Sequence, residues 1–138
     1  MRAGYLRGYL LVIGAVLLVQ GSASLLLHEA LDVDLEGWHG LLTTDDRHAL
    51  LHVAWGLFII PTAALVSEAS LVGLGVAFGT FYVALAVLGV VVDDPFGLQL
   101  GVGENAFHWV IGPVALVLAF AQARASRRAD PVAFSGPE

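Results

Sequence analysis

Apolar residues in this chain fall into long unbroken runs rather than the interrupted stripes of a water-soluble helix. Gly8 to Leu27 holds 20 residues without a charge, enough to cross a hydrocarbon core of roughly 30 Å. Ala49 to Ser67 is a second run, whose one ionisable member is His52, and Ala69 to Val92 and Ala106 to Ala123 are a third and fourth. Polar residues collect between them. Ser67-Glu68-Ala69-Ser70 leaves space only for a tight antiparallel turn, whereas His28 to Arg47 is a long polar segment. Asp93-Asp94-Pro95 ends the third run, because proline bars continuation of a helix and disfavours helical geometry before it. The pattern predicts an all-α integral membrane four-helix bundle made of two tandem helical hairpins, with spans over 8–27, 49–67, 69–92 and 106–123. Residues 124–138 read as a disordered cytoplasmic tail.

Local signals refine this outline. Thr43 or Thr44 is a suitable N-cap for the second helix, with Asp45 and Asp46 at the positive end of its dipole. Pro61 and Pro113 lie inside spans, which membrane helices tolerate when neighbours re-satisfy the freed carbonyls. Gly75-x-x-x-Gly79 permits close helix approach, within the chain or between chains. The first run also admits a second interpretation as a cleaved signal peptide, with Arg2 and Arg7 as its basic region, but it is long for a signal core.

Composition supports membrane residence: 58% of residues are hydrophobic, 13% are charged, and mean hydropathy is +0.83. The absence of cysteine excludes disulfides and thiolate ligands. A net charge of -6 argues against nucleic acid as a partner. Five of the six arginines lie at the two termini, which by the positive-inside rule places both ends in the cytoplasm of a plasma-membrane protein. Nine of the 12 acidic residues then face outward in the two long loops. Trp38, Trp55 and Trp109 lie toward the same side and suit an interfacial aromatic belt.

The second and fourth runs open alike. Setting His48-Ala49-x-x-His52-x-x-x-Gly56 on Glu104-Asn105-x-x-His108-x-x-x-Gly112 pairs both histidines and both glycines. The runs before them pair less closely, as Gly14-x6-Gly21 on Tyr82-x6-Gly89. Two hairpins of like orientation should pack about a pseudo-twofold axis along the membrane normal. At these residues the chain resembles a family of small four-span prokaryotic membrane proteins whose activity is not established. That family carries a repeated pattern of histidine or acid, asparagine, two apolar residues, histidine, three apolar residues and glycine. The resemblance covers roughly residues 5 to 123 and implies the four-span fold; Ala49 departs from it, standing where the pattern has asparagine.

His48 and His52 share one helix face, with Gly56 continuing the stripe. Ionisable groups inside a membrane span are costly and imply a partner. For His52 and His108 the partners on offer are each other, Glu29, Asp93, Asp94, Glu104 and Asn105. One use is structural, with His52 and His108 hydrogen-bonding one another, Asn105 or backbone carbonyls and so locking the hairpins together. A second is a transition-metal site, with His48, His52, His108 and Glu104 or Asp93 as ligands. A third is haem, with His52 and His108 as axial ligands and Gly56 and Gly112 making room for the porphyrin. A continuous proton relay lacks ionisable residues in the inner halves of the later spans. No nucleophile motif or phosphate loop supports an enzyme. The sequence therefore points to a small non-enzymatic membrane protein, an assembly or accessory component with an outward His/carboxylate cluster. Its partners would be lipid, a membrane protein or a second copy of itself, and its alternative role is metal or haem binding.

Overall fold

The structure, a computed structural model, describes residues 4–33, 45–92 and 95–129. Four long helices carry the described chain: α1 (Gly4–Leu25), α2 (Asp46–Leu65), α3 (Glu68–Val91) and α4 (Val102–Ala129). A π-helical turn (Leu26–Ala30) extends α1, and a 3-10 turn (Pro95–Gly97) precedes α4. There is no strand among the described residues. All four helices are long and apolar enough to cross a membrane; the 22 residues of α1 alone measure about 33 Å at 1.5 Å per residue. Each helix begins before its predicted span, and α4 also runs past its end to include Arg127 and Arg128, whereas α2 and α3 stop at Leu65 and Val91, one or two residues short. The tail from residue 130, the remainder of the long polar loop including Trp38 and His39, and Asp93 and Asp94 lie outside the described residues.

The helices pair closely as α1 with α2 and α3 with α4. Short residues permit this. A Cβ on Gly56 would stand 2.8 Å from the carbonyl oxygen of Gly14, and one on Gly112 would stand 3.0 Å from that of Gly79. Backbones therefore touch at one crossing in each hairpin. Gly75 faces Leu6 and Ala119, so both glycines of the Gly75-x-x-x-Gly79 motif are used within the chain.

Burial shows the same symmetry along the sequence. The buried residues of α2 are His48, Ala49, His52, Gly56, Ile59 and Ala63, and each has a buried counterpart in α4 displaced by 56 positions: Glu104, Asn105, His108, Gly112, Ala115 and Ala119. For α1 and α3 the displacement is 65, setting Leu6, Leu10, Ile13, Gly14, Leu17 and Gly21 against Leu71, Gly75, Phe78, Gly79, Tyr82 and Ala86. The pairing of Gly14 with Tyr82 and of Gly21 with Gly89 is thus out of register by nearly one turn. The glycine that answers Gly14 is Gly79, because both supply the carbonyl at the crossing.

Side chains join the hairpins. Trp55 of α2 packs against Phe78, Phe81 and Tyr82 of α3 with ring centroids 5.0 to 6.2 Å apart, so it serves this seam between the hairpins. The Tyr9 hydroxyl donates to the Ile111 carbonyl at 2.6 Å, tying α1 to α4. At the end remote from the histidines, Arg7 donates to the carbonyls of Ala63 and Val66 and to Glu68, which also accepts from Gln122. That cluster covers the last carbonyls of α2, which have no helical partner of their own.

Candidate functional site

The start of α2 is fixed from two sides. Asp45, rather than Thr43 or Thr44, is the N-cap: its carboxylate accepts from the Arg47 backbone N–H at 2.9 Å and from that of Gln99 at 3.2 Å. Arg47 reaches across Gly97, where a side chain would collide with the guanidinium. Phe96 and Gly97 have φ of 61° and 75°, a left-handed pair that turns the chain sharply after Pro95. The loop before α4 is therefore strapped to the first turn of α2, which brings the two matching helix entrances together.

Between them three imidazoles converge. His48 and His52, one turn apart on α2, have ring centroids 4.5 Å apart; His108 of α4 lies 5.4 Å from the first and 6.2 Å from the second. Each ring offers a nitrogen such that all three lie within 4.8 Å of one another. The rings are buried, at 0%, 1% and 0% exposure, and none of their six nitrogens has a hydrogen-bond partner among the described residues. Gly21 makes room for this arrangement on α1, since a Cβ there would press on the Ala49 carbonyl and the Cβ of His52.

Further polar groups surround the trio. Glu104 is 3% exposed and neither carboxylate oxygen has a hydrogen bond; it acts electrostatically on His48, as does Asp45. It stands near the imidazoles without joining the group whose atoms lie within 4.8 Å. Asn105 is buried with its side-chain oxygen against Gly89, and Tyr82 lays its ring 5.3 Å from that of His108 with its hydroxyl unpartnered. Tyr82 carried no sequence signal as part of the site, being one aromatic residue in an apolar run. Asp93, expected as a ligand, lies outside the described residues.

The arrangement separates the ligand readings. In tetrahedral coordination at about 2.0–2.1 Å from the metal, imidazole nitrogens stand roughly 3.4 Å apart. Three ring nitrogens within 4.8 Å of one another need a side-chain adjustment of little more than an ångström to reach that. A porphyrin between His52 and His108 would have to enter space held by His48 and Tyr82. The expected room beside Gly56 and Gly112 is not there, because Leu18 and the Gly14 carbonyl fill the first position, and Val83 and the Gly79 carbonyl fill the second. The glycines serve helix contact. His28, by contrast, is exposed on the π turn, with its Nδ1 atom 3.0 Å from Asp46 Oδ1. Comparison of the chain with protein-family models, with curated proteins and with solved structures finds no match in any of the three, so its chemistry rests on these side chains.

Proposed function

We propose that the protein is a small multi-pass membrane protein that holds a divalent transition-metal ion between its two hairpins, with His48, His52 and His108 as nitrogen ligands and Glu104 as the carboxylate beside them. The observation that carries this reading is the convergence of three buried imidazoles whose nitrogens all lack partners. A buried polar atom left unpartnered costs about 1–3 kcal/mol, so an arrangement that only locked helices would be expected to spend those nitrogens on hydrogen bonds. The buried Glu104 carboxylate argues the same way, because a buried anion needs a compensating cation. Neutral imidazole with carboxylate and no thiolate suits zinc, cobalt, nickel, copper or iron in the divalent state.

In this reading the fold is a duplicated hairpin, in keeping with the family resemblance of the repeated motif, and the ion sits near the pseudo-twofold axis at its outward end. Both termini face the cytoplasm of a plasma-membrane protein, as the arginine distribution favours. The role is that of an accessory or assembly component rather than an enzyme, acting with lipid and with a membrane-protein partner or a second copy.

The test is metal analysis of the purified full-length chain in detergent after chelation and reloading with zinc. The expected result is a single ion per chain that survives gel filtration and is lost in His52→Ala and His108→Ala. A wild-type chain that retains no ion, with alanine variants that only lose thermal stability, would return the cluster to a helix-locking role.

A further inference from the structure

Three imidazoles fill three corners of a coordination tetrahedron and leave the fourth to something else. No further histidine or carboxylate among the described residues joins the group whose ligand atoms lie within 4.8 Å of one another. Metal sites that serve only structure are closed by a fourth protein ligand, whereas sites with three protein ligands give the fourth position to water or to an incoming molecule. Glu104 is the carboxylate at hand, four residues before His108 on the same face of α4. Both its oxygens are buried without a hydrogen bond, and its charge acts on His48. It nevertheless stays outside the group. A metal–oxygen bond of about 2.0–2.2 Å followed by a hydrogen bond of about 2.5–2.7 Å sets a carboxylate oxygen roughly 4 Å from an ion. A carboxylate beside the imidazoles but outside their group suits that longer reach. Two other acids at this end are engaged, Asp45 with the start of α2 and Gln99, and Asp46 with His28.

We propose that the centre takes three ligands from the protein and, as its fourth, one exchangeable small donor, water or a monovalent anion, with Glu104 accepting a hydrogen bond from that water instead of binding the ion; this rests on the reading of His48, His52 and His108 as a metal centre. Charge favours such a ligand. A divalent ion, three neutral imidazoles and one carboxylate leave one net positive charge among side chains at most 3% exposed, and a buried charge needs compensation. A monovalent anion in the fourth position brings the total to zero. Packing sets the size of the ligand, because the imidazoles are at most 1% exposed and the ring of Tyr82 lies 5.3 Å from that of His108. Only a donor of a few atoms fits. Glu104 then acts in two opposite ways, holding the water by a hydrogen bond and repelling an anion that replaces it. The replacement is a ligand exchange: the water leaves as the anion bonds, and no oxidation state changes.

The test uses the full-length chain in detergent, loaded with cobalt(II) and cleared of excess metal. Sodium azide is titrated while the visible absorption of cobalt is followed. Pulsed electron paramagnetic resonance after transfer to heavy water then looks for deuterons on a directly bound water, closer to the ion than those on the outer imidazole nitrogens. The wild-type protein is expected to show such deuterons, and a saturable, reversible spectral change at one azide per cobalt with no loss of cobalt. Glu104→Gln should keep the cobalt stoichiometry and bind azide tighter by roughly tenfold or more, because a neighbouring negative charge is gone. Asp93→Asn, which alters an acid outside the described residues, should leave both readouts unchanged. A cobalt centre with neither close deuterons nor an azide response is closed, and overturns this proposal alone. Loss of cobalt from Glu104→Gln does the same, since it would make Glu104 the fourth ligand. Close deuterons without an azide response keep the water and overturn the anion. A wild-type chain that binds no cobalt overturns the buried metal centre itself.

Discussion

The rings of His48 and His108 lie 5.4 Å apart although they belong to different hairpins. With His52 beside His48, two of the three nitrogen donors come from one hairpin and one from the other. A metal ion should therefore raise the thermal midpoint of the whole bundle, because it binds the assembled seam and not the separated helices. Replacing His108 should abolish the zinc-dependent rise completely, as should replacing either histidine of α2. Differential scanning fluorimetry at increasing zinc reads this directly, and a rise that survives His108→Ala places the ion elsewhere.

Without metal, the same cluster should be a source of instability. Its nitrogens are buried and unpartnered, each costing about 1–3 kcal/mol. His52→Leu is therefore expected to stabilise the metal-free protein, whereas a histidine that locked the helices by hydrogen bonding would destabilise it on removal. Thermal unfolding of both chains in the presence of a chelator distinguishes the two by sign.

Protons compete with metal for each imidazole. Zinc retention should fall as pH falls, with apparent affinity dropping by up to tenfold per pH unit for every ligand that takes up a proton. Stability conferred by zinc is thus present at neutral and alkaline pH and lost on acidification. Titrating the zinc-dependent midpoint against pH checks it; a shift independent of pH would exclude imidazole ligation.

The glycine crossings give a test of the fold apart from any ion. Gly112→Ala should destabilise strongly, since the new Cβ would press on the Gly79 carbonyl and the Val83 backbone nitrogen, neither of which can move aside without parting the helices. Gly56→Ala should behave alike against Gly14 and Leu18. Gly73→Ala meets nothing within 4 Å and should be neutral or stabilising by about 0.5–1 kcal/mol, because alanine is the better helix former. Unfolding in detergent ranks the three, and equal effects would refute the crossings.

At the far end, Arg7→Met should uncover the Ala63 and Val66 carbonyls and release Glu68. A loss of about 1–3 kcal/mol is expected from the unpartnered groups, with zinc stoichiometry unchanged because the histidines lie at the opposite end. Metal analysis beside unfolding separates the two effects.

The helices were legible in the sequence because an apolar run of membrane length leaves the backbone no other partner than itself. The meeting of His52 with His108 was legible too, through the pattern shared by the two helix entrances. The match of Gly14 with Tyr82 failed because residue identity alone ignores which backbone atom a glycine exposes at a helix crossing, and Gly79 supplies that atom. The partnership of His28 with Asp46 was hidden for a different reason: it depends on a π turn and on a return across the long polar segment, neither of which has a periodic signature. Tyr82 joined the site only through the packing of α3 against α4, where an aromatic residue in an apolar run carries no mark of what its hydroxyl faces.

The two glycine crossings leave each hairpin little internal freedom, since backbone already touches backbone on both sides of the bundle. The distance from His108 to the α2 pair is then a property of how the two halves sit against one another. Any rocking of one half on the other would open or close the nitrogen triangle as a pair of callipers opens its jaws. Occupancy of the proposed metal centre and the posture of the bundle would then be one variable, readable from either end.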